Sequence, residues 1–246
     1  MNLILLQPAD LDDTGRTLLS DHRARHLISV LKVKPGSEVR VGRLEGPLGT
    51  GTVEHGTDHT VQLACVFQAD VPPRPRVDVL LALPRPKVMK RLWAQLAALG
   101  VDHLILTNAA RVERNYFDTH VIEPAFYTPL LIEGLQQARD TRLPRVSIHR
   151  QFKPLMEDDL SLLSNPDETP LRLLADPGFR PDPVPTARGG RALLAIGPEG
   201  GWVPFERDLL TRHGFLPFSL GPRSLRTDTA CIAALAVVHQ TLLTDG

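Results

Sequence analysis

The chain has 246 residues, 42% of them apolar, and its 28 basic and 28 acidic side chains leave a formal net charge of zero. That length suits one large domain or two small ones with a buried core. The neutral total argues against nucleic-acid binding by bulk charge, and no apolar stretch reaches membrane-spanning length.

The opening run Asn2–Leu6 is too short for a signal-peptide core and meets Pro8 and three aspartates at once. Cys65 and Cys231 lie far apart with no Cys or His at ligand spacing, which argues against a disulfide or zinc site and for a reducing cytoplasm. His22, His26, His55 and His59 offer no metal spacing either, so no metal site is expected.

The periodicity predicts a short helix from His22 to Leu31 with Leu27, Val30 and Leu31 on one side, then a turn at Lys34-Pro35-Gly36-Ser37. Strands are expected at Glu38–Arg43, Gly49–Glu54 and Thr60–Phe67, between Gly-rich turns. Residues 1–71 therefore read as a small β-rich domain of barrel type. The stiff connector Val71-Pro72-Pro73-Arg74-Pro75-Arg76 marks its end.

Residues 72–246 have α/β texture. Val77–Leu83 reads as a strand, and Lys87–Leu99 as a helix carrying Val88, Leu92, Leu96 and Leu99, stopped at Gly100. The strand His103–Thr107 follows, then a helix from Pro124 to Arg139 with Leu131, Leu135 and Ala138 at helical spacing. Val146–His149, a helix within Pro154–Ser164 and the strand Leu171–Ala175 come next, and Pro181–Gly190 reads as a surface loop. Basic side chains concentrate here, in Arg74, Arg76, Arg85, Lys87, Lys90 and Arg91 and again in Arg139, Arg142, Arg145 and Arg150. Such clusters track phosphates or form solvated helix faces.

The last sixty residues carry the chemistry. Leu193–Ile196 is a buried strand, followed by the loop Gly197-Pro198-Glu199-Gly200-Gly201. A helix begins at Pro204 with Glu206 in its first turn and Leu209 and Leu210 on its apolar face, and stops at Gly214. Phe215–Leu220 returns as a strand, and Gly221-Pro222-Arg223-Ser224-Leu225-Arg226-Thr227-Asp228-Thr229-Ala230 leads into an apolar helix to Leu243. Strand–loop–helix repeated twice places both loops where open α/β sheets bind ligands.

Ala195–Gly201, followed about twenty residues later by Leu220–Ala230, resembles the RsmE family of 16S rRNA (uracil(1498)-N(3))-methyltransferases of the SPOUT superfamily. His26–Lys32 with Pro35-Gly36 resembles that family's PUA-like N-terminal barrel, and Leu99-Gly100-Val101 stands where the family has its Glu-Leu-Gly. The resemblance implies a PUA-like barrel followed by a SPOUT α/β domain with a C-terminal trefoil knot. It implies an S-adenosylmethionine site, a homodimer, and 16S rRNA or the small subunit as partner.

Carried onto this chain, Ile196, Gly197, Glu199, Gly200 and Gly201 form one cofactor wall and Leu220, Gly221, Arg223, Leu225 and Thr227 a second. Leu174 and Ala175 begin the third. Arg226 is the candidate that stabilises the uracil anion formed when N3 loses its proton, and Asp228, where the family usually has Glu, orients Arg226 or accepts that proton. Arg111, Gln137, Arg139 and His26 are candidate RNA contacts.

Each assignment has a plainer reading. Thr227 and Asp228 suit a helix cap, Glu199 an acceptor for loop amides, Trp202 a core or a base stack, Arg111 and Gln137 an ion pair or helix surface, and His239 a satisfied polar group. The family pattern is altered at Ala98, at Gln137-Ala138-Arg139-Asp140 and at Asp228. Those changes leave open a different RNA position, ribose 2′-O methylation, or an RNA-binding module without catalysis.

Overall fold

The computed structural model describes residues 2–163, 170–179 and 190–243, so most of the expected loop at 181–190 lies outside the described residues. The chain divides into two units, Met1–Arg74 with Leu130–Leu143, and Pro75–Pro129 with Pro144–Gly246.

The first unit is a five-stranded sheet in the order β1-β3-β4-β5-β2. Its strands are β1 (Ile4–Leu6), β2 (Arg16–Leu19), β3 (Glu38–Arg43), β4 (Leu48–Gly56) and β5 (Val61–Phe67). Helix α1 (His22–Ser29) starts at Asp21, whose side chain accepts from the Arg23 amide. Leu6, Leu19, Leu27, Val41, Val61 and Leu63 close the core. The predicted strands match β3 to β5, but β1 and β2 are additions. β1 is only three residues long, and β2 buries Thr17 and Leu19 while exposing Arg16 and Leu18, which scrambles the alternation that marks a strand. Of the predicted helix face, only Leu27 is buried: α1 ends early, and Val30 and Leu31 are exposed.

The sequence boundary near residue 71 misses the second part of this unit, Leu130–Leu143. That segment is tied in by polar contacts no periodicity reveals. Glu45 donates its amide to the Thr141 carbonyl at 2.9 Å and accepts the Leu143 amide on Oε1 at 2.6 Å, and Thr141 Oγ1 donates to the Gly46 carbonyl at 2.6 Å. Arg74 also donates to Glu45, at 2.6 Å.

The second unit is built on a six-stranded parallel sheet ordered β11-β9-β10-β6-β7-β8. In chain order it runs β6 (Val77–Ala82), α2 (Pro86–Ala98), β7 (Val101–Thr107), the start of α3 (Pro124–Ala138), a helix that belongs to the first unit from Leu130, and β8 (Arg145–His149). A helical passage follows: α4 (Phe152–Pro154), a π turn at Leu155–Asp159 and α5 (Leu160–Leu163). Then come β9 (Leu171–Ala175), β10 (Ala192–Ile196), α6 (Pro204–Arg212), β11 (Leu216–Phe218) and α7 (Thr227–Leu243).

Strands β6, β7 and β10 are buried along their whole length, as expected for a parallel sheet. Polar side chains interrupt them at their amino ends. There Arg191 Nη2 donates to Asp78 Oδ1 at 2.8 Å and to Asp102 Oδ2 at 2.7 Å, and Arg145 also reaches Asp102. This accounts for one arginine of the basic clusters as a structural partner. Arg74, Arg142 and Arg150 are likewise engaged, with Glu45 and Asp118, and none of these four arginines lies on a helix, so they are ion-pair partners rather than a solvated helix face.

Candidate functional site

Strands β9, β10 and β11 end side by side, with Ala175 in register with both Ile196 and Phe218. Three chain segments leave these carboxyl ends: Asp176-Pro177, Gly197–Trp202 and Ser219 onward. Together they enclose a cleft of about 220 Å³.

Every residue expected to hold a cofactor lines this cleft except Leu174. Leu174 is fully buried, because neighbouring strand residues face opposite sides of the sheet and Ala175 takes the position toward the cleft. The cleft also draws in Asp176, Pro177, Pro198 and Ser224 from the three expected loops, and Trp202 and Ala230, which no expectation from the sequence assigns to it. Asp176 immediately follows a buried strand, the one local signal that marks it.

The first loop is shaped by two close approaches. A Cβ on Gly197 would stand 3.1 Å from the Trp202 ring, and one on Gly200 would stand 2.8 Å from Arg111 Cδ. Trp202 is therefore both core and cleft wall. It is 3% exposed, its ring lies 5.2 Å from that of Phe152, and its Nε1 is buried without a partner among the described residues. The second loop turns at Gly221, whose φ of +111° is a conformation that side chains resist.

Two side chains tie the first loop to the segment after β7. Arg111 Nη1 donates to the Gly200 carbonyl, so Arg111 braces the first loop. Glu206, in the first turn of α6, is buried, with Oε1 accepting the Ala110 amide at 2.6 Å and Oε2 accepting the Val203 amide at 2.9 Å. By sequence Glu206 is marked only as a first-turn acid. Glu199 accepts the Arg85 amide at 3.1 Å, in line with the plainer reading of that residue.

Helix α7 begins at Thr227, two residues before the predicted start. Thr227 is buried in the cleft, whereas Arg226 is exposed between two cleft residues, Leu225 and Thr227. Asp228 does not reach Arg226, as one of the two roles expected of it requires. Its Oδ2 accepts from Arg91 Nη2 at 2.6 Å, and its Oδ1 from the Thr229 amide at 3.0 Å. The hydrogen bond from Arg91 holds the Asp228 carboxyl below the usual carboxylate range. The physical reason is position: in the first helical turn Asp228 faces α2, and a guanidinium is there to receive it.

The remaining candidates fall in the first unit. His26 is half-buried on α1, and its Nε2 has no partner among the described residues. Gln137 is exposed; its carbonyl accepts from Asn2, and the buried glutamine of α3 is Gln136. Arg139 ends α3 in the left-handed region at φ 62°, with the Asp140 amide returning to the Leu135 carbonyl at 3.1 Å. In the second unit, the His239 ring is held by the Leu99 backbone while its Nε2 is buried without a partner among the described residues. No group of side chains that could hold a metal occurs among the described residues. No helix among them is long and apolar enough to cross a membrane.

Residues 72–239 match the model of the RNA methyltransferase domain family. The chain is 30% identical to the ribosomal RNA small subunit methyltransferase E of Treponema pallidum, over 97% of this chain and 90% of that protein. It is 26% identical to the ribosomal RNA small subunit methyltransferase E 1 of Borreliella burgdorferi, over 99% of both. Among solved structures it resembles a ribosomal RNA small subunit methyltransferase E from Neisseria gonorrhoeae bound to S-adenosyl methionine, with a TM-score of 0.75 at 21% identity over 98% of each chain. That likeness spans both sheets, so the expected fold, a PUA-like barrel domain before a SPOUT-type α/β domain, is the fold found.

Proposed function

The chain belongs to the ribosomal RNA small subunit methyltransferase E family, and from that premise we propose that it transfers a methyl group from S-adenosylmethionine to N3 of a uridine in 16S rRNA. The observation that carries this reading is the cleft at the carboxyl ends of β9, β10 and β11, whose walls are the two Gly-rich loops. Its composition fits the cofactor. Ile196, Leu220 and Leu225 offer apolar surface for a flat ring, Gly197 and Gly200 bring backbone close, and the orphaned Trp202 Nε1 is a buried donor in the wall.

When bound, the cofactor supplies an electrophilic methyl on a sulfonium. The chain supplies position and charge. Arg226, exposed between two cleft residues, is the group that pairs with the uracil oxygen as N3 loses its proton, because its charge is permanent. Asp228, paired with Arg91 and held acidic, is a weak proton acceptor. It acts instead as an anchor between α7 and α2.

The family reading also brings a homodimer, a trefoil knot and a cytoplasmic setting. The test is to compare modified nucleosides in 16S rRNA from cells with and without this gene, then to assay Arg226→Ala on purified small subunits. A missing N3-methyluridine in the deletion strain and a loss of at least about 100-fold in the variant are expected. An unchanged nucleoside profile sinks the uridine assignment, and full activity in Arg226→Ala removes that residue from the chemistry.

A further inference from the structure

Behind the cofactor cleft lies a second groove of about 390 Å³, formed at the carboxyl end of β7. Its walls include Asn108, Val112, Arg114, Phe152, Lys153 and Phe205. The two cavities share no lining residue. Between them stand the Trp202–Phe152 ring pair and the Gly200–Arg111 contact.

We propose that this groove binds one nucleotide of the RNA strand flanking the methylated one, with Phe205 stacking on the base and Arg114 and Lys153 holding phosphate. This rests on the reading of the cleft as the methyl-transfer site. Phe205, in the first turn of α6, lines the groove and is 52% exposed, so its ring is open to a stacking partner. Among the described residues Arg114 has no ion-pair partner. Lys153 is 61% exposed and pairs with Glu157 at 3.7 Å, a surface pair that an incoming phosphate displaces at little cost. The one carboxylate in the wall, Glu206, has both oxygens occupied by amides.

An aromatic face beside two cations is what a single-stranded nucleotide requires. The intervening wall separates a base in this groove from the cleft, so the nucleotide is a neighbour of the target. Glu206 and Arg111 bind the groove's own loop to the cofactor loop, so the groove is held in register with the cleft.

The test measures anisotropy of a fluorescein-labelled oligouridylate of about ten nucleotides, cofactor binding by calorimetry, and methylation of small subunits. Phe205→Ala is expected to raise the oligonucleotide Kd by about fivefold or more, with Phe205→Trp restoring it. Arg114→Ala with Lys153→Ala is expected to flatten the logarithmic salt slope by about 1.4, near 0.7 for each single-strand phosphate that is no longer neutralised. Cofactor affinity stays unchanged, and KM for subunits rises. Oligonucleotide binding that is absent in the wild type, or unaltered by all of these changes, overturns the proposal. A wild type that binds the oligonucleotide through Phe205 yet methylates no rRNA supports the groove and refutes the methyl-transfer reading instead.

Discussion

Replacing Glu206 by Gln tests whether the end of the first Gly-rich loop is held by a buried carboxylate. The side chain is 3% exposed and its two oxygens accept amides from different segments, Ala110 at 2.6 Å and Val203 at 2.9 Å. Glutamine keeps one acceptor and turns an NH₂ group toward the other amide. One charge-assisted hydrogen bond, about 1.5–3 kcal/mol, disappears, and a buried donor is left without an acceptor at about 1–3 kcal/mol more. The expected destabilisation is therefore about 4 kcal/mol. At about 2–4 °C per kcal/mol for a unit of this size, that lowers Tm by roughly 8–16 °C. Scanning calorimetry reads the shift, and Glu206→Asp, which keeps the charge on a shorter arm, falls between. A Glu206→Gln shift below about 2 °C would refute the assigned role, since it leaves no room for either interaction.

Two further expectations concern the amino ends of the strands. Burial, with Arg145 nearby, pushes the His103 imidazole down to about 4 from 6.5. The unfolded chain then binds more protons between those values, so His103 contributes stability above pH 6.5 that is lost as pH falls toward 4, at most about 3 kcal/mol. Urea melts of His103→Gln across that range should show a flatter acid limb, and an unchanged limb counts against the assignment. Arg191→Met removes the partner of two buried carboxylates and should cost about 3–5 kcal/mol by the same melts. A loss below about 1 kcal/mol would mean that Arg145 or water already satisfies Asp78 and Asp102.

The parts of this molecule that are legible in the sequence are those governed by local pattern. Continuous apolar runs mark β6, β7 and β10, and the Gly-rich loops mark two walls of the cleft. What escapes depends on contacts distant in sequence. Leu130–Leu143 joins the first unit through Glu45 and Thr141, nearly a hundred positions apart. Arg91 meets Asp228 across 137 positions, so no reading of the second loop alone could find its partner. The resemblance singles out Arg111 as an RNA contact, but its hydrogen bond to the Gly200 carbonyl, 89 positions on, is not legible in the sequence. The motif points to Gln137, which the helix leaves exposed while it turns Gln136 inward.

The two loops that look alike as sequence differ in how they are held. The first is clamped from outside: Arg111 grips Gly200, Glu206 grips the Val203 amide, and Trp202 packs under Gly197. The second is fastened at its two ends, by Ser219 Oγ accepting the Gly221 amide at 3.2 Å and by Arg91 on Asp228, and between them it leaves Leu225 41% exposed beside an exposed Arg226. A ligand in the cleft can gain little by further ordering the first loop, whereas covering Leu225 removes apolar surface from water. The free energy of filling the site thus falls mainly on the second loop. That loop carries Arg226, so occupancy of the cleft and placement of the guanidinium are linked through a single residue step from Leu225.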